Sequence, residues 1–273
     1  GSQQIYVVPS EGGMPVQRTF NMDVEGLPER MGTNKIILEW SNDGKDIVYR
    51  SRQDSWHVLE GKIYTVDAID GIPKQLPLPN SGYASLSPDG TKIAYNRIFR
   101  DYRTWKRYRG GQVAEVWIYD FKTKELTNIT NNEAQDIMPM WHGDNIYYVS
   151  DRTGTMNLYR YNLKTKENKE ITNTNNSDVK LPSKGTKHIA FEMGGEIYLM
   201  DYATETVKKV NISVEDDFPT ARPRIEDVSK QIANTSVSPD GKWALFSARG
   251  DIYVVAKEKG ITKNLTNSSN AHD

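Results

Sequence analysis

A short phrase that returns six times is the feature that most limits what this chain can fold into. It joins an aliphatic residue to an aromatic one, adds apolar residues and closes on a turn. It reads "IYVVPSEGG" from Ile5, "IYTVDAIDG" from Ile63, "VWIYDFKTKE" from Val116, "LYRYNLKTKE" from Leu158, "IYLMDYATET" from Ile197 and "IYVVAKEKG" from Ile252. Its aromatic residues fall at 6, 64, 117, 159, 198 and 253, so the interval runs from 39 to 58 residues. Self-similarity at such a period marks a repeat architecture, in which each unit buries its apolar face only against a neighbour.

A second phrase precedes most copies of the first. It is "WSNDGKDIVYRS" at Trp40, "LSPDGTKIAYNR" at Leu86, "WHGDNIYYVSD" at Trp141, "LPSKGTKHIAFE" at Leu181 and "VSPDGKWALFSA" at Val237. Pro presets φ, Asp bonds back to the backbone and Gly accepts positive φ, so Pro-Asp-Gly is a tight turn between two alternating strands. A third phrase follows: "LTNIT", "KEITN", "KKVNIS" and "KNLTN". Each repeat is therefore four short strands, a to d, joined by turns. That is the unit of a β-propeller. Helical solenoids are excluded, because no segment sustains a 3.6-residue apolar period. The expected fold is all-β, a propeller of four-stranded antiparallel blades. It has six blades, the first truncated to its last two strands at about residues 1–20, with five full blades over about 35–270. Residues 1–273 are expected to form one propeller domain, a fragment of a larger multidomain protein. The opening Gly-Ser reads as a vector-derived remnant.

Charge narrows the functions. Lys and Arg number 35 against 36 Asp and Glu, so no global field favours nucleic acid. No apolar run approaches the length of a membrane span. The chain has no cysteine, which excludes disulfides, thiolate metal sites and a cysteine nucleophile.

In a repeat protein, departures from the repeat carry specificity. The loop "MDVEGLPERMGTN" and the stretch "QDSWHVLEG", with His57 beside Trp56, enlarge one blade. Ser213–Ser236 holds the acidic Glu215-Asp216-Asp217 and the basic Arg222 and Arg224; three adjacent acids lack the alternating spacing of a calcium loop. The third departure is "RDYRTWKRYRGG", Arg100–Gly111. There Arg100, Arg103, Lys106, Arg107 and Arg109 crowd around Tyr102, Trp105 and Tyr108. Guanidinium forks pair with carboxylate or phosphate, and flat rings stack on them or wall them off from water. The segment is a candidate anion site; the competing reading is a solvated hairpin or a docking patch. No G-x-S-x-G, H-E-x-x-H or G-x-x-x-x-G-K motif occurs, and the four histidines (His57, His142, His188 and His272) form no evident triad. No catalytic residue, metal or cofactor is expected in this chain.

The "SPDG…IAY…IY…D" repeat resembles the WD40-like propellers of TolB and of peptidases. "RDYRTWKRYRGG", "PMWHGDNIYYVSDR" at Pro139, "ARPRIEDVS" at Ala221 and "SVSPDGKWALFSARGDIYVV" at Ser236 together resemble the first propeller of tricorn-type proteases, serine peptidases of family S41. The likeness covers essentially the whole chain. It implies a non-catalytic propeller that handles peptides for a downstream propeller, a PDZ domain and catalytic domains of the same protein, with homo-oligomers possible. It implies peptide passage through the propeller channel and anchoring of a C-terminal carboxylate by a basic pair. The candidates are Arg107 and Arg109, or Lys106 and Arg107, with Trp105 and Arg103 beside them. Bacterial relatives of this type are exported, which implies a periplasmic location; archaeal ones are cytoplasmic. The alternative is a stand-alone TolB-like propeller that binds a protein partner.

Overall fold

The computed structural model describes residues 3–21, 34–54, 61–98, 106–213, 215 and 227–266. They form antiparallel sheets and, among the described residues, a single 3₁₀ turn at Ser229–Gln231. Blade 1 holds β1 (Tyr6–Val7) and β2 (Val16–Gln17), the last two strands of a repeat. Blade 2 holds β3 (Ile36–Trp40), β4 (Asp46–Ser51), β5 (Lys62–Asp67) and β6 (Lys74–Gln75). Blade 3 holds β7 (Ala84–Leu86), β8 (Lys92–Asn96), β9 (Val116–Asp120) and β10 (Leu126–Asn128). Blade 4 holds β11 (Asp136–His142), β12 (Asn145–Ser150), β13 (Asn157–Asn162) and β14 (Asn168–Glu170). Blade 5 holds β15 (Val179–Lys184), β16 (His188–Met193), β17 (Glu196–Asp201) and β18 (Val207–Lys209). Blade 6 holds β19 (Ile232–Val237), β20 (Trp243–Ala248), β21 (Asp251–Ala256) and β22 (Lys263–Asn264). Each full blade is a simple meander, as expected of a propeller. The chain divides into two compact units, Gly1–Ile212 and Ser213–Asp273.

The recurring phrases have local causes. In the a–b turns of blades 2, 3 and 6 a serine hydroxyl donates to the aspartate two residues on and accepts the N–H that opens strand b. Ser87 bonds Asp89 at 2.6 Å and Lys92 N–H at 2.9 Å. Ser238 bonds Asp240 at 2.6 Å and Trp243 N–H at 3.0 Å. Gly90 and Gly241 close these turns at φ of 69° and 66°, where a side chain would be strained. The Thr of the third phrase fastens the strand before it. Thr19, Thr130, Thr172 and Thr266 accept the N–H of Ile5, Val116, Leu158 and Ile252, each 14 residues upstream. Val116 and Leu158 are fully buried, so loss of that acceptor strands a donor. Thr130→Val and Thr172→Val are each expected to cost about 1–3 kcal/mol. Urea denaturation should show a lower midpoint at unchanged slope, and Thr→Ser should restore it.

The c–d turns carry a titratable device. Asp120 accepts N–H bonds from Thr123 and Lys122 at 2.9 and 2.8 Å and pairs with Lys92 at 3.0 Å. The Thr123 amide first, then Lys92, holds its carboxyl down at about 2. Backbone amides likewise lower Asp67 and Asp201. A depressed folded value means stability is present above the unfolded value, about 3.9, and is lost as pH falls through the folded one. Stability is therefore expected to fall between about pH 4 and pH 2. Asp120→Asn should flatten that slope in thermal melts across this range, because asparagine keeps the turn but does not titrate.

The core lies between neighbouring sheets. Ile5, Ile47, Tyr49, Tyr64 and Val66 join blades 1 and 2, and Val48, Ile63, Ala84, Ile93 and Tyr95 join blades 2 and 3. Blades 3 and 4 share Ala94, Val116, Trp141 and Tyr148, while Met140, Tyr147, Ile189 and Phe191 belong to the cluster that joins blades 4 and 5.

Strand a is one of the two edges of each full blade, and free edges template unwanted pairing. Four of the five carry a register shift: between Ile37 and Glu39, Ile137 and Met140, Lys180 and Ser183, and Ile232 and Asn234. Pro139 and Pro182 fall within two of these bulges, where a missing N–H costs no ladder bond. One detail differs from the sequence reading. "LPSKG" aligns with "LSPDG" as a turn, yet β15 runs on through Lys184 and the chain reverses at Gly185–His188. Blade 5 lacks the Ser-x-Asp pair that bridges the longer turn, so the shorter one forms.

Candidate functional site

Antiparallel order sends the b–c and d–a connections off one edge of every blade and the a–b and c–d turns off the other. The basic segment belongs to the b–c connection of blade 3, residues 97–115. Arg103 and Trp105 of the expected site, with Arg100 and Tyr102, lie outside the described residues, as do His57, Asp216, Asp217, Arg222 and Arg224. Lys106, Arg107 and Arg109 are described.

They do not float. The end of the segment is tied to blade 4, where Ala114 N–H donates to Gln135 Oε1 at 2.9 Å and Asp136 N–H to Ala114 O at 2.8 Å. Asn96, at the end of β8, donates to Glu115 O and Asp136 O, both at 2.8 Å, and accepts Met138 N–H at 3.1 Å. Gly110 admits the ring of Tyr108; a Cβ there would stand 2.5 Å from Tyr108 Oη. Two carboxylates, Asp151 of blade 4 and Asp178 of the connection to blade 5, then take up the cations. Lys106 Nζ lies 2.6 and 2.9 Å from the two oxygens of Asp178, which also accepts Met156 N–H at 2.9 Å. Asp151, fully buried, accepts Arg109 Nη1 at 2.9 Å and Gln135 N–H at 2.9 Å on Oδ1, and Arg107 N–H on Oδ2. Arg109 Nη2 also donates to Asp151 O at 3.2 Å, and Nη1 to Tyr108 O at 3.0 Å.

Arg107 is the exception. Its backbone sits at φ 64°, in the left-handed region that costs a non-glycine residue about 1–3 kcal/mol. Its Nε donates to Gly154 O at 2.9 Å, and its two terminal nitrogens carry no bond among the described residues. The arrangement is thus one exposed guanidinium fork, steadied at Nε and at its backbone, between two cations already neutralised by the fold. Such a fork can take a carboxylate through two parallel hydrogen bonds.

Beside it, the buried Asp136 holds Arg152 Nη2 at 3.1 Å, and burial raises the Asp136 carboxyl despite that partner. Arg152 also lies over the Tyr159 ring at 4.4 Å, so it is a structural cation. His142 stacks on Tyr202 at 3.6 Å, and His188 stands 3.3 Å from Asp201; neither side chain hydrogen-bonds a serine among the described residues. No cluster of three potential metal ligands occurs among the described residues. No helix of the described residues is long and apolar enough to cross a membrane.

Sequence reasoning named the cations and missed their partners. Asp151 and Asp178 lie 44 and 72 residues from Arg107 and Lys106, in stretches with no mark of their own beyond the "VSDR" that ends β12.

Known proteins give this geometry a context. Residues 1–206 match the family model described as the tricorn protease N-terminal beta propeller domain. The chain is 27% identical over 232 residues to the tricorn protease homolog of Saccharolobus solfataricus, covering 85% of this chain and 21% of that protein. It is 27% identical over 187 residues to the tricorn protease of Thermoplasma acidophilum, covering 68% of this chain and 17% of that protein. The chain thus spans about a fifth of the curated relatives it matches. Among solved structures, the tricorn protease superposes with a TM-score of 0.65 at 20% identity, over 97% of this chain and 25% of that one. TolB from Acinetobacter baumannii superposes at 0.57 and 17% identity, over 95% of this chain and 61% of that one. At those identities the two structures speak for the fold. The family model spans most of the chain, and the chain belongs to the tricorn protease N-terminal β-propeller domain family.

Proposed function

We propose that this propeller handles short peptides for a serine peptidase module of the same polypeptide, and that Arg107 anchors their C-terminal carboxylate. One observation carries the reading: of the three described cations in the basic segment, Lys106 and Arg109 are held by Asp178 and Asp151, and the Arg107 fork is left exposed. An anchor needs a charged group that is positioned without being neutralised, and Arg107 meets both conditions. Trp105 and Arg103 complete the proposed contact surface. The relatives' names point to proteolysis, and a peptidase of the S41 type is the module this reading requires, in the periplasm of a bacterial host or the cytoplasm of an archaeal one. The test is binding of matched peptides with a free or an amidated C-terminus. The free acid should bind about 10-fold or more tightly, as expected for hydrogen bonds to a charged group. Equal affinity would refute the anchor.

A further inference from the structure

The strands a of blades 2 to 5 line a half-open cavity of about 250 Å³. Its walls include Ile37, Leu38, Ala84, Met138, Met140 and Leu181, and among the described residues its charged lining residues are Glu39 and Lys184. Those two come from blades 2 and 5, the first and last of the four, and meet at 2.8 Å. Ser85 of blade 3 sits between them: its hydroxyl donates to Glu39 Oε2 at 2.7 Å and accepts Lys184 Nζ at 3.1 Å. It also accepts Trp141 N–H of blade 4 at 3.0 Å, and Leu86 N–H donates to Glu39 Oε1 at 2.6 Å. The Glu39 and Lys184 side chains are only 6% and 13% exposed. All four blades thus contribute to one satisfied network.

Its position along the strands matters. Glu39 and Lys184 stand near the C-terminal ends of β3 and β15, next to the a–b turns. The apolar lining residues Ile37, Leu38, Ala84, Met138 and Leu181 precede Glu39, Lys184 or the positions equivalent to Glu39, which are Ser85 in β7 and Met140 in β11, so the cavity lies on the side of the d–a and b–c connections, the side that carries Arg107. The network is a floor across the space between the strands a of blades 2 to 5.

We infer that this cavity is a blind pocket with an ionic floor, and that it takes one uncharged apolar side chain of a peptide entering from the Arg107 side. Peptide as the ligand rests on the reading above; the pocket itself rests on its walls and floor. Ile37 and Leu181 remain 56% and 66% exposed on strands a, apolar surface left uncovered among the described residues. The volume falls below the roughly 300–1,000 Å³ of sites for drug-sized ligands, which fits a side chain. A floor whose charges satisfy each other offers nothing to a charged guest, which would lose its water without gaining a partner.

The test uses N-acetyl-L-leucinamide, which has no carboxylate for Arg107 to hold, added to the 273-residue chain during methyl NMR. Shifts are expected at Ile37, Leu38, Met138 and Leu181. N-acetyl-L-asparaginamide and N-acetyl-L-lysinamide should bind at least about 10-fold more weakly, as burial of a leucine side chain predicts. Ile37→Asp and Leu181→Asp, both at exposed positions, should abolish the leucinamide shifts while the remaining spectrum stays native. Shifts that are absent, that fall outside the cavity or that survive both substitutions would overturn the pocket. If they do so while the free-acid preference holds, the pocket fails and the Arg107 anchor stands; the reverse result separates the two the other way.

Discussion

Arg107→Ala is expected to lower affinity for a peptide with a free C-terminus by about 10- to 100-fold, from the worth of hydrogen bonds to a charged group, and to leave its amide unchanged. The side chain is exposed and its lost bond to Gly154 O is a surface one, so stability should change little. Relief of the left-handed backbone does not follow, since alanine at φ 64° is strained as arginine is. Arg107→Lys separates charge from shape. A lysine keeps the cation and loses the fork, so it should recover only part of the affinity. Isothermal titration with the acid and the amide reads both effects. A free-acid preference that survives Arg107→Ala would move the anchor to another group.

Asp151→Ala should be the most damaging change near the site. Its carboxylate is fully buried and accepts Gln135 N–H, Arg107 N–H and the Arg109 guanidinium. Removal leaves those donors without their acceptor. The expected loss is about 3 kcal/mol, the low end for breaking a buried pair, because the Arg109 side chain is 36% exposed and regains water. Peptide acid affinity should fall as far as in Arg107→Ala, because the backbone that aims Arg107 loses its hold. Asp151→Asn keeps an acceptor oxygen and should recover stability more than affinity. Thermal melts and titrations on the same samples check this; a variant with full affinity at reduced stability would show that Asp151 supports the fold without positioning Arg107.

The blades were legible in the sequence because their determinants are local. Ser87, Asp89 and Gly90 make their turn among themselves, and Thr130 reaches only 14 residues back to Val116. The basic segment was legible too, because it breaks the repeat. Which cation stays available was not. That depends on Asp151 and Asp178, placed by the packing of one blade on the next. The pocket floor was hidden for the same reason. Glu39, Ser85 and Lys184 are ordinary surface residue types far apart in the sequence, and only the convergence of four strands a brings them within 2.7–3.1 Å. The turn alignment misled at Lys184, where a shorter reversal in blade 5 moved the residue from turn to strand.

The measurement closest to the central claim is a crystal structure of the chain soaked with a short free-acid peptide. The account predicts the terminal carboxylate on the two terminal nitrogens of Arg107, with the Lys106–Asp178 and Arg109–Asp151 pairs intact. A carboxylate bound by Lys106 or Arg109 with its acidic partner displaced, or a peptide seated away from the b–c edge of blade 3, would contradict it.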